Sequence, residues 1–122
     1  MPDINFILLY VENVAASEAF YARILGRGAI ESSPGFAMIA AAPGVRLGLW
    51  RRDEVAPAAG APGGGEIAFA VEGDAAVDAT HARWRDSGVA IAQPPAAMDF
   101  GYTFVGLDPD GHRVRVFAPA ER

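Results

Sequence analysis

Residues 11–23 read VENVAASEAFYAR, and residues 71–83 read VEGDAAVDATHAR. At a constant offset of 60 positions they share Val11/Val71, Glu12/Glu72, Ala15/Ala75, Ala16/Ala76, Ala19/Ala79, Ala22/Ala82 and Arg23/Arg83. Glu18 faces Asp78, so one mismatch still keeps its charge. An apolar, strand-like run precedes each copy, at 4–10 and at 67–70. A short chain with two similar halves reads as two copies of one supersecondary unit. Most of the identities are Ala or Arg in a chain rich in both, so the order of elements around the repeat has to carry the same message.

It does. Residues 4–11 (INFILLYV) read as a buried strand, and Asn13 is a suitable N-cap for a helix over about 14–25. Ala16, Phe20 and Ile24 make an apolar stripe with Tyr21 and Leu25 beside it, and Gly26 ends the helix. Strands are expected near 28–32, 36–41 and 45–50, with Pro34-Gly35 and Pro43-Gly44 as turns. The Pro/Gly/Ala stretch 55–65 reads as a linker, dividing the single domain into module 1 (1–54) and module 2 (66–122). In module 2 a strand is expected at 66–71. Asp74 is expected to cap a helix over 75–87, with Val77, His81 and Trp84 on one face and Gly88 at its end. Strands near 89–93, 102–107 and 112–117 follow, with Asp108-Pro109-Asp110-Gly111 as a hairpin turn. Each half is therefore β-α-β-β-β, an α+β arrangement.

Composition removes several functions. At 122 residues the chain is one domain with enough length for a real core. No apolar run reaches the roughly 18 residues of a membrane span. Met1-Pro2-Asp3-Ile4 lacks a basic leader and runs straight into a strand pattern, so no signal peptide is expected. The absence of cysteine excludes disulfides, thiolate metal sites and cysteine nucleophiles, and fits a cytoplasmic setting. The net charge is −5 and the ten cations, all arginine, are scattered, so no basic stripe for nucleic acid is visible. Without lysine, Schiff-base chemistry and a P-loop lysine are impossible. The Ala and Arg bias fits a GC-rich bacterial genome.

The duplication, the element order, Leu9 to Gly26 (LYVENVAASEAFYARILG) and the DPDGHRVRV run from Asp108 to Val116 resemble the vicinal oxygen chelate superfamily, which includes glyoxalase I, bleomycin-resistance proteins and extradiol dioxygenases. The resemblance spans the whole chain. It implies two β-α-β-β-β modules forming a cup-shaped mixed sheet with the ligand inside, usually completed in a homodimer, although the long linker could also let both modules pair within one chain. It further implies that the metal enzymes' ligand positions fall on Phe6, Gly48, Glu66 and Arg115. Phe6 and Gly48 offer no ligand atom, Arg115 is a permanent cation, and Glu66 alone is not a site. No metal and no other cofactor is therefore expected, and His81 and His112 match no ligand position. Leu47 to Glu54 (LGLWRRDE), Gly64 to Val71 (GGEIAFAV) and Phe100 to Val116 (FGYTFVGLDPDGHRVRV) look most like the metal-free antibiotic-binding, phenazine-resistance-like members, which hold flat drugs by stacking.

Alternation along the first strand sends Phe6, Leu8 and Tyr10 to the cup if the helix packs on Ile7, Leu9 and Val11. Arg46, Gly48 and Trp50 are the inward set of 45–50, with Met38 adding soft apolar surface. Trp50, followed by Arg51 and Arg52, suits either a stacking rim or a dimer contact, and Gly48 would leave room beneath it for a flat ligand. Met98, Asp99 and Phe100 are expected to form a lid loop, with Tyr102 beyond Gly101. Glu66 and Arg115 should pair, either neutralising the cup floor or leaving Arg115 to turn toward a ligand carboxylate. His81 and Trp84 read as packing residues. Asp108, Asp110 and His112 read as turn chemistry without the acidic continuation of a calcium loop.

Three functions remain open. The first is a metal-independent protein that sequesters a planar aromatic antibiotic or metabolite, with ligand contacts from Phe6, Leu8, Tyr10, Met38, Gly48, Trp50, Glu66, Phe100, Tyr102 and Arg115 and no catalytic residue. The second is a metal-free lyase or isomerase using Glu66 as base, with Tyr10 or Tyr102 as the available acid, although a neighbouring Arg115 would make Glu66 a weak base. The third is a degenerate family member with a structural or regulatory role, whose cup is filled by its own side chains.

Overall fold

The computed structural model describes residues 4–56, 58–61 and 64–120. Met1–Asp3, where the leader reading falls, and Pro57, Pro62 and Gly63 of the expected linker lie outside the described residues. The chain divides into two compact units, Met1–Pro62 and Gly63–Arg122, referred to below as modules 1 and 2. Each holds one helix and one mixed four-stranded sheet, the β-α-β-β-β unit expected from the repeat.

Module 1 runs β1 (Phe6–Val11), α1 (Val14–Leu25), β2 (Glu31–Ser32), β3 (Phe36–Ala42) and β4 (Val45–Arg51), with a 3-10 turn over Arg52–Glu54. The sheet order is β1-β4-β3-β2, with β1 parallel to β4 and the other pairs antiparallel. Asn13 caps α1 as expected, its side chain accepting from the Ala16 amide at 3.0 Å. Gly26 closes the helix in the left-handed region at φ 68, a conformation that costs glycine little.

The buried stripe of α1 is Val14, Ser17, Phe20 and Tyr21, so Ala16 is exposed rather than part of it. The helix is rotated relative to the reading that maximised apolar bulk, and Ser17 is fully buried on its inner face. Ala37, Ile39, Leu47 and Leu49 form the sheet side of this core. The expected buried strand 4–11 is corrected: within β1 only Val11 is buried, while Phe6, Ile7, Leu8 and Tyr10 are exposed. β1 is an edge strand, and α1 lies against β3 and β4.

Module 2 runs β5 (Glu66–Ala70), α2 (Asp74–Asp86), β6 (Ala90–Met98), β7 (Gly101–Leu107) and β8 (Arg113–Pro119), in the order β5-β8-β7-β6 with β5 parallel to β8. Its core is Val77, Trp84, Val89, Phe104, Val114 and Val116. Trp84 meets Phe104 and Phe69 edge-on, at centroid distances of 5.2 and 6.3 Å. Gly106 makes room for it: a Cβ there would lie 3.1 Å from the indole. His81 meets Phe104 edge-on at 5.2 Å, so both residues read as packing residues do pack.

Two expectations in this module are corrected. Asp74 does not cap α2. Gly73 holds that position at φ 85, and Asp74 is the first helical residue, where its charge faces the positive end of the helix. The strand expected to stop at residue 93 continues to Met98 through Pro94 and Pro95. β6 is the outer strand and its register shifts on either side of Gln93, so the prolines lose no ladder bond that an inner strand would require.

Candidate functional site

In each module one sheet face is covered by the helix and the other is not. In module 1 the register sets Leu8 beside Gly48, Met38 beside Gly48, and Tyr10 and Phe36 beside Trp50. Phe6, Leu8, Tyr10, Met38, Gly48 and Trp50 therefore share the helix-free face, as alternation requires. Phe6, Leu8 and Tyr10 are 42%, 46% and 38% exposed, a large open apolar area for strand residues. Tyr10 and Trp50 meet edge-on at 6.3 Å, which orients the indole without covering it. The room expected over Gly48 is occupied by the chain itself. A Cβ at that position would lie 2.7 Å from Leu8 Cδ2, 2.8 Å from Phe6 Cε1 and 3.1 Å from Phe36 Cζ.

In module 2 the expected pair forms. Arg115 Nε donates to Glu66 Oε1 at 2.6 Å, and Nη2 reaches Oε2 at 3.5 Å. The Arg115 side chain is 14% exposed and that of Glu66 31%, so the pair is only partly shielded from water. Arg115 Nη1 donates to the buried Thr103 hydroxyl at 3.2 Å, and Thr103 donates to the Val116 carbonyl at 2.9 Å. The guanidinium also lies 5.4 Å from the ring centre of Phe100, which meets Phe117 edge-on at 5.9 Å. Glu66, Arg115, Phe100, Phe117 and Thr103 are thus one connected group. Sequence reasoning missed Thr103 and Phe117. Counting in twos from Arg115 along β8 finds Phe117, whereas Thr103 needs the β7–β8 register.

Two expectations about the site are corrected. Met98, Asp99 and Phe100 make no lid loop: Met98 ends β6, and Asp99-Phe100 is a two-residue turn into Gly101, pinned where the Ala120 amide donates to the Phe100 carbonyl at 2.8 Å. Tyr102 stands apart from the Arg115 group. Its hydroxyl donates to Asp78 of α2 at 2.7 Å, on the helix side of the sheet. That bond, followed by burial and the charges of Asp78 and Asp74, raises the phenol's pKa above its ordinary value.

The register shows how the metal-ligand positions named above are filled. Glu66 pairs with Arg113 and Ala68 with Arg115, so Glu66 and Arg115 form a diagonal contact across β5 and β8. Phe6 pairs with Arg46 and Leu8 with Gly48, so Phe6 and Gly48 form the same diagonal in module 1. One diagonal is a phenyl ring over a glycine, and the other is a carboxylate already bound by a guanidinium. This donor set does not fit a metal: only Glu66 is an anionic ligand, and a cation 2.6 Å away already satisfies it. The acidic turn is also internally engaged. Asp108 Oδ1 accepts from the Asp110 and His112 amides at 2.9 and 2.8 Å, and Oδ2 lies 2.7 Å from His112 Nδ1.

Two open clefts lie elsewhere on module 1, of about 360 and 510 Å³, around Glu12 and Arg51. Neither is lined by an expected ligand residue. Arg51 there is already paired with Asp53 at 2.9 Å and Glu54 at 3.8 Å.

Among known proteins, this chain is similar to the phenazine antibiotic resistance protein EhpR of Enterobacter agglomerans, 29% identical over 115 residues that cover 92% of this chain and 88% of that one. It is 52% identical to protein ATC0852 of Agrobacterium tumefaciens, whose solution NMR structure superposes with a TM-score of 0.89 over 99% of this chain and 100% of that one. A glyoxalase/bleomycin resistance protein/dioxygenase from Nocardioides is 28% identical with a TM-score of 0.82, over 99% and 85% of the two chains. Residues 3–116 match the Glyoxalase/Bleomycin resistance protein/Dioxygenase superfamily, and the chain belongs to it.

Proposed function

We propose that this protein binds a planar aromatic antibiotic or metabolite without a metal, sequestering it rather than converting it, and that it works as a cytoplasmic homodimer. The observation that carries this reading is the open aromatic surface on helix-free β-strands, together with a ligand diagonal that holds an arginine–glutamate pair in place of metal donors. The likeness to a phenazine antibiotic resistance protein supports the same ligand class. Tyr10 and Trp50 supply ring surface in module 1, and Phe100, backed by the Arg115 guanidinium, supplies it in module 2. Stacking on such rings contributes about 1 kcal/mol beyond buried area.

The alternative, Glu66 as the base of a metal-free isomerase or lyase, is weaker. Both Glu66 oxygens face Arg115 donors, so the carboxylate is held in an ion pair instead of being presented to a substrate proton. No helix among the described residues is long and apolar enough to cross a membrane.

The test is a tryptophan-fluorescence titration of chelator-treated protein with phenazine-1-carboxylate, alongside Trp50→Ala and Phe100→Ala. Saturable quenching with the compound recovered unchanged supports sequestration, and the weaker-binding variant identifies the face used. A modified product, or no binding by folded protein, overturns the reading.

A further inference from the structure

The helix-free face of module 2 carries surplus positive charge in a chain of net charge −5. Alternation along β8 sets Arg113, Arg115 and Phe117 on that face, opposite the buried Val114 and Val116. The ionisable side chains that β5 and β8 place there are Glu66, Arg113 and Arg115, one anion against two cations. Register sets Arg113 directly across from Glu66, yet the carboxylate reaches diagonally to Arg115. Arg115 is thereby neutralised, and it is further engaged by Thr103 and Phe100. The Arg113 side chain is exposed and makes no hydrogen bond or ion pair with any described residue.

The sequence leaves Arg115 two roles, pairing with Glu66 or turning toward a ligand carboxylate. The geometry points instead to Arg113, and we propose that the ligand is a planar aromatic acid whose carboxylate is held by Arg113 while its ring lies beside the Arg115–Phe100 stack. This rests on the binding reading given above and adds the charge class of the ligand. Two residues along one strand are about 7 Å apart, so a guanidinium at position 113 can reach a carboxylate on a ring seated next to residue 115. Arginine's fork suits a carboxylate bidentately. The surplus cation gains a counter-ion that the chain itself does not provide.

The test is equilibrium dialysis of chelator-treated wild type and Arg113→Gln with two probes of the same shape, phenazine and phenazine-1-carboxylate. Wild type is expected to hold the carboxylate about tenfold more tightly, a preference that weakens in high salt. In Arg113→Gln that preference disappears and phenazine affinity is unchanged. Arg113→Gln binding the carboxylate like wild type, or losing both probes equally, overturns the proposal while leaving the binding reading intact. Folded wild type that holds neither probe overturns both.

Discussion

Tyr102 and the Glu66–Arg115 pair show how far single contacts can be read. The neutral Tyr102 phenol is the form that donates to Asp78, so the folded state favours the proton and the pKa rises. The stabilisation is complete below the unfolded pKa of about 10 and is lost as pH rises through the higher folded value. Ultraviolet titration should show part of the phenol absorbance change moving to lower pH in Asp78→Asn, because that variant removes the acceptor holding the Tyr102 proton; identical curves for the two proteins would refute the contact. The ion pair is partly exposed, so its loss costs less than the several kcal/mol of a fully buried pair. Glu66→Gln is expected to destabilise by about 1 kcal/mol in urea. It also removes the anion directly across from Arg113, and so should tighten phenazine-1-carboxylate binding several-fold; unchanged affinity would count against a ligand carboxylate at this end of β8. Thr103 is buried between two polar partners, and Thr103→Val should cost about 1–2 kcal/mol in the same assay.

At the level of strands and helices, two glycines separate flexible from rigid crowding. A Cβ at Gly48 meets the ends of the Leu8, Phe6 and Phe36 side chains, which can rotate away. Gly48→Ala should therefore fold, with a loss of about 1–2 kcal/mol. A Cβ at Gly101 would stand 2.0 Å from the Ala118 carbonyl oxygen at φ +148, and backbone cannot rotate away. Gly101→Ala is expected to cost about 3 kcal/mol or more, and a melt indistinguishable from wild type would contradict the β7–β8 pairing. Both helices are legible in the sequence because Asn13, Gly26 and Gly88 punctuate strong apolar patterns. What escapes such a reading depends on neighbours. Apolar pattern alone misses the polar Ser17 on the buried face of α1, and the Gly73 cap rests on a positive φ that no composition reveals. Pro94 and Pro95 signal a strand end, yet they sit in β6 because an edge strand tolerates missing donors.

For the whole chain, the duplication carries most of the architecture: a repeat offset of 60 residues implies two β-α-β-β-β units, and both form. The candidate site is only half legible. Period-two alternation places Phe6, Leu8, Tyr10 and Trp50 on one face and brings Glu66 to Arg115. It cannot show that Phe6 and Leu8 crowd Gly48, because side-chain reach across parallel strands depends on register. Nor can it show that Tyr102 belongs to α2 through Asp78, since that contact joins residues 24 positions apart. The apolar exposure of β1, with Ile4 86% exposed beside it, fits the homodimer of the functional reading. Sedimentation should find a dimer that Ile4→Arg converts to a folded monomer, and a monomeric wild type would remove that part of the reading. The central claim is binding of a flat aromatic compound with no metal. Isothermal titration of phenazine-1-carboxylate into chelator-treated protein, repeated with zinc, nickel or manganese added, tests it most directly. The account requires saturable binding with the same affinity in every titration; binding that appears only with a metal present would contradict it.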